Sequence, residues 1–357
     1  MNLTQDQARS IILRRHGLVD PFDKPLEAMR AVFAVQTQYA ASLPAALAVR
    51  TKGLKANWHK KAEHSDVVKS WTLRNTLHAQ TAEDHALYVS VAGKRIYGRY
   101  LDWMRRSVGW EGEKLQGMLD RTLEALKDGP RSRTEIHAVV PEWKEHPSVG
   151  WGADMMGLAC LGKVKLIVTE GGPTLFALHE TEFVEPTEAA KELARRYFAS
   201  YGPATLSDFA YWSGLKVETA KPALQAIEDE LTEVQVEGMK GKRWMMPAEI
   251  AEDIPKLRLL AKFDPLTMGH ADKSLFLDPK YFKQVSRAAG QVEATILANG
   301  RMVGTWRFVR KGTTSEVVVE PFKKIAKTYE AGIEREARKI AKSLGFNQVE
   351  VRSVNSV

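Results

Sequence analysis

The spacing of apolar residues predicts that helices dominate the first two thirds of the chain. Thr4 and Gln7 form the pattern of a capping box, and the Leu/Ile periodicity behind them stops at Gly17. Pro25 suits the first turn of a second helix. Further along, the pattern predicts helices over residues 26–35 and 44–52, a strand over 67–74 and a long amphipathic helix over 83–106.

One plan of elements occurs twice between residues 111 and 252. The first copy predicts helices over 114–127, from Ser132 and Glu135 onward, and over 152–161, then strands over 163–169 and 174–178. The second copy predicts helices over 189–201, 207–212 and 217–231, then strands over 234–236 and 243–245. Three short helices followed by a hairpin is the plan of a winged helix, a variant of the helix-turn-helix.

The pattern of apolar and polar residues changes after Pro255. Asn299-Gly300 lies between apolar segments over 292–297 and 302–308, which is a strong signal for a type I′ hairpin. A strand over 316–319, a charged helix over 324–344 and a strand over 348–351 follow. This pattern predicts a small β-rich C-terminal module with one covering helix.

We therefore predict an α+β protein that is mostly α. Because residues before Gly53 also fit a three-helix start, three tandem winged helices are expected. The predicted modules are 1–110, 111–185 and 186–252, followed by the β-barrel-like module 253–357. For each copy, a scaffold role and DNA contact are both open.

The charge is unevenly distributed along the chain. Net charge is +8, with 17 Lys+Arg against 9 Asp+Glu in residues 1–110, 16 against 23 in 111–250, and 19 against 12 in 251–357. Two basic ends around an acidic middle favour a clamp whose ends meet a polyanion. A merely basic protein is the alternative, because charge along a chain is not charge on a surface.

Several classes of protein are disfavoured. Cys160 is the single cysteine, which excludes an intramolecular disulfide and a cysteine-rich metal site. No apolar run approaches the roughly 18 residues that span a bilayer, and the N-terminus lacks a signal-peptide pattern. Gly171-Gly172 is not followed by Lys-Ser/Thr and predicts a turn rather than a nucleotide loop. We expect a cytoplasmic protein without a membrane partner or nucleotide cofactor.

Gln36 and Gln38 flank a single residue where the second helical pattern ends. On a helix, such neighbours point to opposite sides, whereas in an extended segment they point the same way. If both serve one site, the helix must break there, and two amides could then position a water. Two solvated glutamines at a frayed helix end are the simpler alternative.

Seven strings occur in order along nearly the whole chain: AVQTQ from Ala34, WTLRNTLH from Trp71, RYFASYGPAT from Arg196, DFAYWSG from Asp208, KFDPL from Lys262, GHADK from Gly269 and GTW from Gly304. Together they resemble the AlkZ/YcaQ family of winged-helix DNA glycosylases. The resemblance implies three winged helices and a C-terminal β-barrel forming a C-shaped clamp. It also implies a monofunctional glycosylase that removes alkylated bases, in some members from interstrand crosslinks.

The family's catalytic glutamine motif falls on Gln36 and Gln38, and Gln38 favours the AlkZ-like branch, because a sister branch carries Asp there. Asn75 and Tyr39 depart from the family pattern, which usually has Gly and a polar or acidic residue at these positions. N7- or N3-alkylation makes a purine a cation that leaves readily. Our hypothesis is that both amide carbonyls hold a water near C1′ and act by orientation and electrostatics, since an amide is no base at neutral pH.

Other candidates would contact DNA. Alternation predicts that Arg74 and His78 share a face of the predicted strand. Contact with phosphate is one interpretation, and a salt bridge with a satisfied histidine is the other. The long helix carries Lys94, Arg95, Arg99, Arg105 and Arg106 among aromatic residues and could follow a phosphate backbone, or be a solvated face.

Arg301 and Arg307 flank the Asn299-Gly300 hairpin, which could wedge into a groove, although an ordinary hairpin is favoured. Asp264, His270 and Asp272 do not match a metal site, so we expect no metal there, and a loop facing DNA or turn capping instead.

The expected partner is double-stranded DNA with alkylated bases, bound by a monomer without any cofactor. The rival function is that of a non-enzymatic winged-helix DNA-binding protein, such as a transcriptional regulator. A glutamine pair and a C-terminal module favour the enzyme, because a regulator needs neither.

Overall fold

A computed structural model describes residues 1–62, 66–149, 152–168 and 173–354. The chain is an α+β protein that folds into two compact units, Met1–His59 with Ala194–Val357, and Lys60–Leu193. The predicted turn at Gly171-Gly172 and the predicted strand end at Thr169 lie outside the described residues. Within the described ranges, no helix is both long and apolar enough to cross a membrane.

In the described part of the chain, the helices are α1 (Gln5–Arg15), α2 (Pro25–Val32), α3 (Ser42–Ala48), α4 (Trp58–Ala62), α5 (Ala82–Trp103), α6 (Gly112–Ala125), α7 (Arg133–Val139), α8 (Ala153–Cys160), α9 (Pro186–Tyr201), α10 (Leu206–Ser213), α11 (Val217–Gln225), α12 (Pro265–Met268), α13 (Phe282–Val285) and α14 (Glu330–Ser343). The strands are β1 (Asn2–Leu3), β2 (Val35–Gln36), β3 (Val67–Trp71), β4 (Leu77–Thr81), β5 (Arg131–Ser132), β6 (Val164–Val168), β7 (Thr174–Leu178), β8 (Thr232–Val236), β9 (Arg243–Met245), β10 (Leu257–Leu260), β11 (Ala294–Ala298), β12 (Arg301–Lys311), β13 (Thr314–Pro321) and β14 (Val349–Ser353).

Helix starts follow local capping chemistry. Thr4 caps α1 and forms the predicted capping box with Gln7, and Ser132 does the same for α7 with Glu135. In each case a side-chain oxygen accepts a hydrogen bond from an N–H that would otherwise be unpaired at the helix start. Both predicted capping boxes are confirmed.

Several predicted elements are too long, among them α2, α11 and β3. Helix α2 ends at Val32 rather than at residue 35, and α11 ends at Gln225 rather than at residue 231, because Ile227 leaves the helical conformation with φ −125°. Strand β3 ends at Trp71, because Arg74 and Asn75 adopt left-handed conformations with φ +55° and +58°. Such residues turn the chain and cannot continue a strand.

An aromatic cluster forms the core of the first unit around the end of α9. Tyr197 and Tyr201 stack with ring centroids 5.2 Å apart, and Trp212 of α10 lies 5.5 Å from Tyr201. Strands β8 and β9 form the predicted hairpin, β1 pairs with β8 in parallel, and Ala204 bridges Trp244 of β9. The order is therefore helix, short bridge, two helices and hairpin.

The C-terminal strands form a five-stranded sheet in the order β10–β11–β12–β13–β14. The predicted type I′ turn is confirmed, since Asn299 and Gly300 both have positive φ, +46° and +71°. The predicted barrel is corrected, because the described strands show no closure between β10 and β14. Strand β14 runs parallel to β13 after a crossover through α14, which packs against β10 and β14.

In the second unit, the strands are ordered β4–β3–β6–β7–β5. Strand β5 pairs with β7 in antiparallel register, which repeats the order of helix, short strand, two helices and hairpin. Helices α5 and α8 approach closely at Gly93, where a Cβ atom would lie 2.5 Å from the Cys160 carbonyl oxygen. Only glycine fits that contact.

Candidate active site

The end of helix α2 creates the segment that carries the two glutamines. Phe33 adopts φ +65°, and its ring packs edge-on against Trp212 with centroids 5.2 Å apart. The Tyr201 hydroxyl donates to the Val32 carbonyl oxygen across 2.8 Å. The last turn of the helix is thus held from the aromatic core, and the chain leaves it extended at Val35–Gln36.

The two glutamine side chains converge. Gln36 is buried at 4% exposure, whereas Gln38 is exposed. Gln36 Nε2 donates to Gln38 Oε1 across 2.6 Å. The helix break expected from their spacing is found, and the hydrogen bond shows that the two side chains turn toward each other. Their catalytic role stays a prediction.

A buried ion pair lies beneath the helix that follows the glutamines. Arg50 Nη1 and Nη2 donate to the two carboxylate oxygens of Asp264 across 2.9 and 2.6 Å, and neither side chain has any exposed surface. Arg50 also donates to the Ala46 carbonyl oxygen in α3, and Asp264 accepts from the Leu266 N–H at the start of α12. This pair joins α3 to the start of the C-terminal region.

The other two residues considered as metal ligands are also engaged. His270 Nε2 donates to the Tyr201 carbonyl oxygen across 2.8 Å, and burial lowers the pKa of His270. At 6% exposure, His270 is not available as a surface phosphate contact. The Asp272 carboxylate accepts a hydrogen bond from the Ser274 N–H, and so it caps a turn. Among the described residues, no group of three or more His, Cys, Asp or Glu side chains could hold a metal.

Arg74 and His78 meet in the second unit through a turn rather than along one strand. His78 Nδ1 lies 2.9 Å from the Thr76 carbonyl oxygen, and Nε2 lies 3.5 Å from Arg74 Nη2. Nδ1 is therefore the donor and Nε2 the acceptor. Burial, and then the Arg74 charge, lower the pKa of His78 to about 3, so the imidazole is neutral near pH 7. At 1% exposure it is a buried, satisfied histidine.

The basic residues of α5 are not equivalent. Lys94 and Arg99 are exposed, Arg95 is half-buried, and the helix ends at Trp103 before a π-helical turn at Met104–Val108. Arg95, Arg74 and Arg99 each act to lower the pKa of the buried Tyr88, whose pKa burial raises. The positive charges of these three guanidinium groups therefore act on one buried hydroxyl.

The two arginines that follow α5, Arg105 and Arg106, are less suited to binding phosphate. Arg105 pairs with Asp102 and lies near Glu111, whereas Arg106 is exposed. The carboxylates neutralise Arg105 locally.

The Asn299-Gly300 hairpin packs against the protein. A Cβ atom on Gly300 would lie 3.0 Å from Ile254 and 3.2 Å from Arg9, and Asn299 donates to the Tyr329 hydroxyl. The tip is therefore an ordinary packed hairpin and does not protrude as a wedge. Arg301 is half-buried, and Arg307 is exposed and paired with Glu320.

Sequence reasoning missed the Arg50–Asp264 pair and the surroundings of Tyr39. A lone arginine after an Ala/Leu-rich helix gives no sign of a partner 214 residues away. The sequence did contain the separate strings that resemble the family, and three of these strings come together in the first unit. Tyr201 lies between the α2 end at Val32 and His270, and so connects the glutamine segment to the two later strings.

Comparison with known protein families identifies the family of this chain. The family model for the DNA glycosylase AlkZ-like family matches residues 29–343. The chain belongs to the AlkZ-like family. The resemblance carried by the separate strings is thereby confirmed, and the matched range includes Gln36, Gln38 and the Arg50–Asp264 pair.

Two AlkZ-like relatives show the extent of the similarity. An interstrand DNA cross-link repair glycosylase of Streptomyces sahachiroi is 31% identical over 312 residues, which is 81% of this chain and 82% of the relative. The solved structure of Streptomyces sahachiroi DNA glycosylase AlkZ matches with a TM-score of 0.83 at 25% identity, over 99% of this chain and 100% of that one. The AlkZ-like fold therefore extends over nearly the whole chain.

Proposed function

We propose that this protein is a monofunctional DNA glycosylase that hydrolyses the N-glycosidic bond of N7- or N3-alkylated purines in double-stranded DNA. The observation that carries the proposal is the convergence of the Gln36 and Gln38 amides on a broken helix end. Membership of the AlkZ-like family and the absence of any strong base from the pair both support it.

The chemistry suits a neutral pair. An alkylated purine carries a positive charge and departs as a neutral base, which leaves an oxocarbenium-like sugar. The enzyme then needs to orient a water and stabilise positive charge, and it does not need a strong base, because the water loses its proton to the solvent once it has bonded to C1′. Carboxamide oxygens fit both tasks, because they accept hydrogen bonds and carry partial negative charge.

The hydrogen bond between the glutamines supports separate roles for the two side chains. Gln36 donates to Gln38 Oε1, so the buried Gln36 amide holds the exposed Gln38 amide in place. A carbonyl oxygen has two lone pairs, so Gln38 Oε1 can also accept from the attacking water. Gln36 then acts chiefly on the orientation of the pair, and Gln38 on the water itself.

We propose that winged helices position the DNA. The two runs of helix, short strand, two helices and hairpin support the modules 111–185 and 186–252, and the helices α1 to α3 begin a third over 1–110. Lys94 and Arg99 are the exposed cations best suited to phosphate, with Arg95 beside them. The protein would work as a monomer.

Crosslinked DNA is a second substrate that we propose. The printed name of the Streptomyces sahachiroi relative describes a cross-link repair glycosylase. A crosslink through purine N7 atoms has the same cationic leaving group as a monoadduct, so the same pair of amides would serve both.

The test is a gel assay with a duplex that contains one N7-methylguanine. The wild-type protein should convert it into an abasic site that alkali cleaves, whereas strand cleavage without alkali would show a lyase and contradict the monofunctional assignment. Gln36→Ala and Gln38→Ala should lose base release and keep DNA binding. DNA binding by the wild type without any base release would instead favour a non-enzymatic winged-helix regulator.

A further inference from the structure

Tyr39, the residue directly after Gln38, is fixed by three contacts although its side chain is 42% exposed. Its ring stacks on Phe263 with centroids 6.0 Å apart and planes 21° apart. Lys262 Nζ lies 4.5 Å from the centre of the ring. Its hydroxyl donates to Gln291 Oε1 across 2.7 Å. An exposed tyrosine ordinarily needs none of these partners.

The partners of Tyr39 are themselves held in place. Phe263 adopts φ +56°, a conformation that a bulky residue keeps only where its surroundings impose it. Those surroundings include Asp264, whose carboxylate is bound to Arg50 in the interior. Lys262 Nζ lies 3.4 Å from a carboxylate oxygen of Glu293. Tyr39 therefore rests on a rigid base.

The segment after Tyr39 borders a cavity. The cavity has a volume of about 180 Å³ and is lined by Tyr39, Ala41, Ser42 and Ala45 and by residues of the C-terminal region, which include Lys262, Glu293 and Trp306. Without its three contacts, Tyr39 would have room to move, and the peptide that joins it to Gln38 would move with it.

We propose that Tyr39 is a positioning residue that fixes Gln38 through these contacts. The proposal rests on the proposed function, in which the Gln38 amide orients the attacking water. The Gln38 side chain is exposed, so its place depends on its own backbone and on the bond from Gln36. Tyr39 supplies the backbone restraint. A displacement of about 1 Å in such a group typically costs about 10²-fold in rate.

The first measurement is single-turnover base release from a duplex with one N7-methylguanine. Tyr39→Ala should slow release by about 10- to 100-fold with the DNA dissociation constant unchanged within about twofold. Tyr39→Phe keeps the ring contacts and should restore most of the rate, and Gln291→Ala should resemble Tyr39→Phe, because each removes only the hydroxyl bond.

Tyr211 provides a matched control. It is 36% exposed, and Lys273 Nζ lies 5.0 Å from the centre of its ring, so it resembles Tyr39 in exposure and in its lysine neighbour. Tyr211→Ala should leave the rate of base release unchanged. A comparable loss in both variants would attribute the Tyr39 effect to general destabilisation and overturn the proposal.

Hydrogen–deuterium exchange of residues 34–42 tests the restraint without any substrate. Exchange in this segment should accelerate in Tyr39→Ala and not in Tyr211→Ala. Unchanged exchange would overturn the proposal, as would a raised dissociation constant with an unchanged rate, which would make Tyr39 a DNA contact. If the wild type released no base, the proposed function would fail, while faster exchange in Tyr39→Ala would still support the restraint.

Discussion

Gln36 Nε2 lies 2.6 Å from Gln38 Oε1, so that a buried amide holds an exposed one. Because each side chain orients the other, we expect their losses to be non-additive. Gln36→Ala and Gln38→Ala should each slow base release by about 10²–10³-fold, and the double variant should cost little more than either single one. Single-turnover rates on N7-methylguanine duplex give the comparison. Losses that multiply in the double variant would show that the two amides act independently.

The Arg50–Asp264 pair predicts a large effect on stability. Asp264→Ala leaves a guanidinium group buried without its carboxylate and removes the cap of α12. Loss of one partner from a buried pair typically costs about 3–5 kcal/mol in the free energy of unfolding. Urea denaturation measures it. The exposed pair Lys52–Asp23 is the control, and Asp23→Ala should leave the unfolding free energy nearly unchanged. Equal effects of the two variants would contradict the prediction.

Buried neutral histidines predict a loss of stability in acid. Burial lowers the pKa of His85 from 6.5 to about 3, with a smaller contribution from His179, whose ring lies 5.1 Å away. Between these two pKa values only the unfolded chain binds the proton, so stability falls as the pH drops below about 6.5. At pH 5 the cost is about 2 kcal/mol for one such group.

His85→Leu isolates this effect. Both ring nitrogens of His85 are buried without a hydrogen-bond partner among the described residues, so the substitution removes no such bond. The variant should match the wild type at pH 8 and lose less stability between pH 7 and pH 5. Urea unfolding at several pH values measures both. Parallel pH profiles would show that His85 has the same pKa in the folded and the unfolded protein.

Local chemistry predicted most helix starts and hairpins, because caps and turns depend on residues close in sequence. The capping boxes at Thr4 and Ser132 and the Asn299-Gly300 turn are examples. Helix ends were less predictable. Helix α2 stops at Val32 because Phe33 packs on Trp212 and Tyr201 binds the last turn, and these partners lie about 170 residues away in the sequence.

The candidate site was predictable only in part for the same reason. The spacing of Gln36 and Gln38 indicated a shared direction, whereas the contacts of Tyr39 with Phe263 and Gln291 are tertiary and leave no local pattern. The barrel was expected from the family resemblance, whereas the residue pattern predicted only a β-rich module. Strand number does not fix closure, and the parallel pairing of β14 with β13 through a helical crossover was not visible in the alternation of residues.

The cations of α5 predict how DNA binding depends on salt. If Lys94 and Arg99 contact phosphates, Lys94→Ala and Arg99→Ala should each weaken DNA binding. The loss of affinity should be the same for every DNA sequence. Each should also reduce the slope of log K against log salt concentration by about 1. Fluorescence anisotropy between low and moderate salt measures this slope. Arg105→Ala is the control, since Asp102 and Glu111 already neutralise that charge. A slope unaffected by all three variants would remove α5 from the DNA interface.

Two glycines of α5 predict opposite effects of the same substitution. A Cβ atom on Gly93 would lie 2.5 Å from the Cys160 carbonyl oxygen, so Gly93→Ala must push α5 and α8 apart and should destabilise the protein by about 1–3 kcal/mol. Gly98 has no atom within 4 Å of such a Cβ, and both residues lie in one helix. Gly98→Ala should therefore stabilise by about 0.5–1 kcal/mol through helix propensity. Urea unfolding of the two variants measures both effects. A gain in stability in both variants would show that the helices do not meet at Gly93.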